Sequence, residues 1–129
     1  SEVEERLQME FDVIKEKNFA RYFLVIHNFI DAMRKDYCTL VGPGRGSVAG
    51  SLVCYCLGIT TIDPLKYDLL FERFVNLSHD VLPDIDIDFN EEGISLAKKY
   101  LFDVYGKECW AHIITFDKRD LLKTIKEVA

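Results

Sequence analysis

The sequence predicts an α/β fold in which helices pack on a small mixed sheet. Apolar residues recur at helical spacing through several segments, whereas residues 83–89 alternate aspartates with large apolar side chains, which is the two-residue period of a strand. The chain has 129 residues, of which 49% are hydrophobic, and this is enough to form the core of one domain. We expect the sheet to be incomplete.

The first two elements are predicted to be amphipathic helices. The first helix carries glutamates on its polar side, and the second extends from about residue 20 to about residue 35. Their apolar faces consist of Val3, Leu7, Phe11 and Ile14 in the first helix and of Phe23, Ile26, Ile30 and Met33 in the second.

A third helix is predicted for residues 48–57, directly after a glycine-rich turn. It is apolar on almost all sides, so we expect it to be buried, and Gly58 is placed to end it. Ser47 is positioned to be its N-cap. After this helix, Asp63-Pro64 marks a turn, and residues 69–74 form a short helix or turn.

The last part of the chain alternates predicted strands and helices. The strand at residues 83–89 is followed by a helix that Gly106 closes, then by a buried strand over residues 110–116 and by a final helix that Asp117 caps. The apolar positions that define these two helices are Ile94, Ala97, Leu101 and Val104, and then Leu121, Ile125 and Val128.

An acidic face on the strand at residues 83–89 is the first candidate site. Its members are Asp84, Asp86 and Asp88. Like charges this close repel each other, so a folded protein tolerates them where a cation binds among them or where water reaches the whole face. Mg²⁺ prefers oxygen ligands and is commonly held by one or two carboxylates together with substrate phosphates. The strand therefore predicts either a Mg²⁺ site or a solvated acidic edge.

The glycine-rich turn VGPGRGS at residues 41–47 is the second candidate site. Glycines such as Gly44 and Gly46 let the backbone approach a ligand closely, and free N–H groups before a helix bind anions. Arg45 adds a positive charge with forked donors. The alternative is a simple chain reversal, because most glycine-rich turns bind nothing. Together, the turn and the acidic strand predict a site for a metal-bound nucleoside triphosphate.

Three motifs, VGPGRGS, DPLKYDLLFERF and PDIDIDF, occur in this order between residues 41 and 89. In sequence and spacing they resemble the palm of the C family of bacterial replicative DNA polymerases, the alpha subunits of DNA polymerase III, and the similarity covers roughly residues 10–116. The resemblance implies a palm related to the nucleotidyltransferases of the DNA polymerase beta type, with residues 1–129 as its N-terminal part. The fingers, the thumb and a third catalytic aspartate would then be absent from this chain.

The resemblance also implies roles for individual residues. Asp84 and Asp86 match the catalytic pair that binds metal, whereas Asp88 matches an acidic position outside the catalytic set. Gly46 and Ser47 match the turn that holds the incoming triphosphate. Arg73 matches a basic residue near the nucleotide, and Gly44 and Arg45 complete the predicted triphosphate site. After residue 116 the family usually continues with Gly-Thr, whereas this chain has the sequence DKRD at residues 117–120.

The predicted function is therefore the metal- and deoxynucleoside-triphosphate-binding part of the palm of a DNA-directed DNA polymerase. Two Mg²⁺ ions would serve nucleotidyl transfer in the full-length enzyme, and we expect the fragment alone to be inactive. The expected partners are deoxynucleoside triphosphates, primer-template DNA and, through absent domains, replisome subunits such as the sliding clamp. A non-catalytic nucleotide-binding or assembly module is one alternative, and a metal-dependent phosphohydrolase is another.

Composition limits the remaining classes of function. A net charge of −6 argues against a module that binds DNA by itself through phosphate neutralisation. The four cysteines show neither zinc-site spacing nor a disulfide framework, which favours reduced thiols and a cytoplasmic protein. We find no signal peptide and no apolar run long enough to span a membrane.

Overall fold

The computed structural model describes residues 1–109 and 111. Within that part of the chain the structure is helical. The α-helices are α1 (Glu2–Glu16), α2 (Ala20–Lys35), α3 (Leu52–Cys56) and α4 (Glu91–Tyr105), and two short 3-10 helices span Gly46–Gly50 and Phe71–Arg73. The predicted strand at residues 110–116 and the predicted helix after Asp117 lie outside the described residues.

The predicted α/β fold with a mixed sheet is wrong for the part of the chain that the structure describes. Residues 83–89 are extended, but only two isolated antiparallel bridges join them to the glycine-rich turn, Val41 to Phe89 and Arg45 to Asp86. The alternation of faces is nevertheless confirmed. All three aspartates of this segment are exposed, while its isoleucines and phenylalanine are half-buried against the core.

The turn itself prevents these two bridges from forming a regular ladder. The bridged positions differ by four in residue number on the turn side and by three on the acidic side, so the pairs are out of register by one residue. Pro43 and Gly44 lie between the two bridged positions of the turn. Pro43 has no N–H to donate, and the φ of Gly44, +113°, is not a strand conformation. The alternation of aspartates and apolar residues therefore produces an extended segment here that does not belong to a sheet.

Helices α1 and α2 form close to their predicted positions. Ser1 caps α1 through a capping box with Glu4, which satisfies free backbone donors at the start of the helix. The predicted apolar face of α1 is only partly correct. Ile14 is buried, but Phe11 is 52% exposed, and Glu10 is completely buried instead.

The core lies between α2 and the segments packed on either side of it. Phe23 of α2 meets Phe74 edge to face, with ring centroids 5.9 Å apart. On the other side, Phe29 of α2 packs against Phe89, the last residue of the acidic segment (residues 83–89), and against Tyr100 of α4. These contacts attach the acidic segment to α2 through its apolar side and leave its carboxylates facing solvent.

The helix predicted for residues 48–57 is split into two. A 3-10 helix covers Gly46–Gly50, the backbone is extended at Ser51, and α3 follows. Ser51, rather than Ser47, is the N-cap of α3, and its hydroxyl accepts a hydrogen bond from Cys54 N at 3.1 Å. The predicted cap at Ser47 is therefore wrong, and the Ser47 side chain is exposed.

Candidate functional site

The glycine-rich turn and the acidic segment lie side by side. Gly42 N donates to Asp88 O at 2.9 Å, and the Arg45 to Asp86 bridge follows along the same edge. A Cβ atom added at Gly46 would be 3.0 Å from Asp86 Oδ2. The two halves of the predicted site, far apart in sequence, therefore meet at Gly46 and Asp86.

Backbone conformation explains why glycine stands at two positions of the turn. Gly44 and Gly46 have φ values of +113° and +73°, which L side chains rarely adopt. A Cβ atom at Gly44 would also approach Thr60 Cγ2 to 2.8 Å. The path of the turn past Thr60 and Asp86 is therefore open only to a residue without a side chain.

An open cleft with a volume of about 390 Å³ lies between the 3-10 helix Gly46–Gly50 and residues 68–73. Gly46, Ser47 and Arg73 line it together, and the side chains of Ser47 and Arg73 are exposed. Three of the residues predicted to bind a triphosphate thus share one cavity, although Ser47 and Arg73 are distant in sequence. A basic side chain, a hydroxyl and a glycine backbone are groups that suit a phosphate ligand.

The side chain of Arg45 packs against the acidic segment and does not line the cleft. Its Nε donates to the two carboxylate oxygens of Asp88 at 3.3 Å and 3.2 Å, and a terminal nitrogen lies 3.9 Å from Asp86 Oδ1. The hydrogen bond to Asp88 is the main cause that raises the pKa of Arg45, followed by the charges of Asp88 and Asp86. All three side chains are largely exposed, so these ion pairs are weak and readily exchanged.

Asp84 lies at the other end of the acidic segment, near Tyr22. The Tyr22 hydroxyl donates to Pro83 O at 2.7 Å, which fixes the entry to the segment. Burial raises the pKa of Tyr22, and the negative charge of Asp84 adds to this increase. Both effects favour the protonated hydroxyl that donates to Pro83 O.

Over residues 1–109 and 111, no group of three or more His, Cys, Asp or Glu side chains is arranged to hold a metal ion. The available candidates, Asp84 and Asp86, offer two exposed carboxylates on one side of an extended segment. Carboxylate oxygens are the ligands that Mg²⁺ prefers, so the donor chemistry fits that ion. Two carboxylates supply only part of an octahedral set, and the other ligands would have to be water, phosphate or protein groups from elsewhere.

Glu10 and Arg6 are the buried charged pair that the sequence patterns did not predict. The Glu10 carboxylate is completely buried and accepts hydrogen bonds from Arg6 Nε at 2.8 Å, Ser51 Oγ at 2.9 Å, Leu52 N at 2.9 Å and Val53 N at 3.0 Å. A carboxylate at this helix start is favoured by the helix dipole as well as by the free N–H groups.

A signal for this pair is present in the sequence. Glu10 follows Leu7 by three residues and precedes Ile14 by four, so helical periodicity places it on the apolar face of α1. Arg6 stands four residues before it, at the spacing of a helical ion pair. A charged residue on an apolar face with a partner at that spacing indicates a buried ion pair.

The opposite end of α3 is held by basic side chains of α2. His27 Nδ1 donates to Leu57 O at 2.7 Å, and the Arg34 guanidinium donates to Gly58 O. Carbonyls at a helix end carry partial negative charge, so these donors complement Glu10 at the other end. The short helix α3 is thus fixed at both ends by side chains from α1 and α2.

The four cysteines are all free thiols in the described structure. Cys54 lies on α3 with no exposed surface, and burial raises its pKa to about 12. Cys56, on the same helix, also has a raised pKa, first because of burial and then because of the nearby charges of Glu10 and Asp63.

Among the described residues, no helix is long and apolar enough to cross a membrane.

Comparison with known proteins agrees with the resemblance of the three motifs. The family model of the bacterial DNA polymerase III alpha NTPase domain matches residues 1–129. DNA polymerase III subunit alpha of Ureaplasma parvum is 48% identical over 124 residues, which cover 96% of this chain and 13% of that protein. The subunit alpha of Campylobacter jejuni is 46% identical over 128 residues, 99% of this chain and 11% of that protein.

A more distant relative gives the same picture. DNA polymerase III subunit alpha of Aquifex aeolicus is 43% identical over 125 residues, covering 97% of this chain and 11% of that protein. The chain thus spans about one-eighth of the length of these curated relatives, and almost all of it is matched.

Proposed function

Because the chain belongs to the family of bacterial DNA polymerase III alpha NTPase domains, we propose that it forms the metal- and deoxynucleoside-triphosphate-binding part of the palm of a replicative DNA-directed DNA polymerase. The proposed reaction is nucleotidyl transfer from a deoxynucleoside triphosphate to the 3′ end of a primer on template DNA. Other replisome subunits, such as a sliding clamp, are proposed to bind other parts of the full-length polymerase.

One observation carries this proposal, namely that the glycine-rich turn touches both the cleft and the acidic segment. Gly46 lines the cleft with Ser47 and Arg73, and the position of its missing Cβ atom is 3.0 Å from Asp86 Oδ2. A triphosphate in the cleft would therefore place phosphate oxygens beside Asp86. Phosphate and carboxylate oxygens on neighbouring positions are the ligand set in which Mg²⁺ is commonly found.

Each residue of the site has a proposed role. Gly46 and Ser47 bind phosphate through the backbone and the hydroxyl, and Arg73 binds it as a charged donor. Asp84 and Asp86, with a carboxylate from elsewhere in the polymerase, are proposed to hold two Mg²⁺ ions, which supply charge stabilisation for an in-line displacement. Arg45 is proposed to move from Asp88 to phosphate when the site is occupied, since its exposed ion pairs cost little to break.

A comparison of Asp86→Asn with Asp88→Asn in the full-length polymerase tests this proposal. Both aspartates are exposed on the same side of the same segment, and both lie next to Arg45, so the two changes are closely matched. We expect Asp86→Asn to reduce primer-extension turnover by about 10³-fold, because a metal-binding carboxylate contributes several kcal/mol and each 1.4 kcal/mol is a factor of ten. Asp88→Asn should keep turnover within about threefold of the parent.

The contribution of the cleft is measured with Arg73→Ala in the same assay. We expect the Michaelis constant for deoxynucleotide to rise about tenfold or more, because a charged hydrogen bond to phosphate contributes about 1.5–3 kcal/mol. Equal turnover of the two aspartate variants would remove the metal role from the acidic segment. An unchanged Michaelis constant for Arg73→Ala would refute the proposal that the nucleotide binds in the cleft.

A further inference from the structure

Arg6 connects the two walls of the cleft without lining it. One terminal nitrogen of its guanidinium donates to Gly50 O at 2.7 Å and to Leu69 O at 3.0 Å. Gly50 ends the 3-10 helix that forms one wall, and Leu69 belongs to the other wall. Arg6 itself comes from α1 and has a side chain that is only 16% exposed.

From this arrangement we infer that the Arg6–Glu10 pair is a positioning device that sets the width of the nucleotide cleft. The inference rests on the proposed function of that cleft. Arg6 does not touch the ligand and acts through the two backbone carbonyls that it holds at a fixed distance.

Glu10 makes Arg6 suitable for this role. It accepts from Arg6 Nε, so it fixes the plane of the guanidinium and leaves a terminal nitrogen directed at Gly50 and Leu69. The same carboxylate binds Ser51 Oγ and the first amides of α3, immediately after the wall formed by Gly46–Gly50. Through Glu10, the guanidinium of Arg6 is thus fixed relative to the beginning of α3.

Close backbone packing beside Arg6 shows that this spacing is tightly defined. A Cβ atom added at Gly50 would be 2.5 Å from Leu70 O, so the two walls approach each other directly at this end of the cleft. A change in this spacing would move Gly46 and Ser47, on one wall, relative to Arg73 on the other. The three phosphate-binding groups then no longer fit one ligand at the same time.

Arg6→Lys in the full-length polymerase is the test. A lysine keeps the positive charge beside Glu10 but lacks the planar fork that reaches the carboxylate and both carbonyls. We expect the Michaelis constant for deoxynucleotide to rise about tenfold, while turnover at saturating nucleotide stays within about threefold, because the carboxylates of the acidic segment are not held by Arg6.

Arg34→Lys is the matched control. Arg34 also donates from a half-buried guanidinium to a glycine carbonyl, but at Gly58, at the other end of α3 and outside the cleft. Both variants should lower the melting temperature, Arg6→Lys by more because Arg6 makes three hydrogen bonds and Arg34 makes one, and only Arg6→Lys should raise the Michaelis constant. If Arg6→Lys prevents folding, Gly50→Ala perturbs the same spacing from within one wall and should give the same kinetic result.

The outcomes separate this inference from the function on which it rests. If Arg6→Lys and Gly50→Ala lower the melting temperature but leave the Michaelis constant unchanged, while Arg73→Ala raises it, the positioning role is refuted and the nucleotide cleft stands. If Arg73→Ala also leaves the Michaelis constant unchanged, the proposed function of the cleft is refuted. A rise for Arg34→Lys equal to that for Arg6→Lys would show that the kinetic effect is only loss of stability.

Discussion

Replacing Glu10 by glutamine should weaken the attachment of α3 to α1 by about 4 kcal/mol. The substitution keeps the shape of the side chain and removes its charge. In the parent protein the carboxylate is completely buried and accepts four hydrogen bonds, two at each oxygen. Three of its partners, Arg6 Nε, Leu52 N and Val53 N, can only donate, and the Ser51 hydroxyl alone could also accept.

The magnitude follows from the placement of the amide group. If the amide nitrogen takes the Oε1 position, it faces Arg6 Nε and Leu52 N, and if it takes the Oε2 position, it faces Ser51 Oγ and Val53 N. At Oε1 the amide opposes two donors, whereas at Oε2 it opposes Val53 N while the Ser51 hydroxyl can rotate to accept, and in both orientations Arg6 loses its charged partner. Hydrogen bonds to a charged group contribute about 1.5–3 kcal/mol each, and breaking one side of a buried ion pair costs about 3–5 kcal/mol, so a loss of about 4 kcal/mol is expected.

Hydrogen exchange at α3 in the full-length polymerase measures this loss locally. The amides of Leu52 and Val53 donate to Glu10 in the parent, and their exchange should accelerate by about 10³-fold in Glu10→Gln, since each 1.4 kcal/mol is a factor of ten. Glu5→Gln, an exposed glutamate on the same helix, is the control and should leave exchange unchanged. Exchange within threefold of the parent would refute the view that the carboxylate holds the start of α3.

Two further predictions concern metal binding and thiol chemistry. Residues 1–129 by themselves should bind Mn²⁺ only weakly, because Asp84 and Asp86 supply too few ligands. Calorimetry should show that the double variant Asp84→Asn, Asp86→Asn no longer binds the ion. Equal binding by the double variant would show that the segment is only a solvated acidic face. Iodoacetamide at pH 8 should modify exposed Cys38 first, Cys56 more slowly and Cys54 only after unfolding. Cys54 is the slowest because a pKa of about 12 leaves roughly one of its thiols in 10⁴ as the reactive thiolate. Mass spectrometry of the modified peptides checks this order, with unfolded protein as the control, and equal rates for Cys38 and Cys54 in the folded protein would contradict the buried position of Cys54.

Periodicity in the sequence was sufficient to predict helices α1, α2 and α4 and the exposure of the aspartates at residues 83–89. These are properties of a single segment, since the spacing of apolar residues decides which of its sides leaves water. The order of the three motifs was also sufficient to predict the family that the comparisons show. Both results depend only on residues that are close together or that recur in a fixed order.

The roles predicted for the site residues stay predictions, and what the structure shows is which of these residues lie together. Gly46, Ser47 and Arg73 line one cleft, as a common ligand requires, and Gly46 lies beside Asp86. Arg45, which is also predicted to bind phosphate, lies against Asp88 in the structure. Spacing along the chain cannot distinguish these positions, because an exposed arginine pairs with whichever charge the fold brings near it.

Only the tertiary structure decided the absence of a sheet in the described residues, the burial of Glu10 and the cap at Ser51. An extended segment becomes a strand only if its neighbour can continue the ladder, and the neighbour here contains Pro43 and Gly44. Glu10 is buried because the free amides of α3 lie opposite it, and those amides are more than forty positions away in sequence. The sequence alone determined the helical segments α1, α2 and α4 and the alternation at residues 83–89, whereas the hydrogen-bond partners of the backbone and of buried charges depended on what the fold placed opposite them.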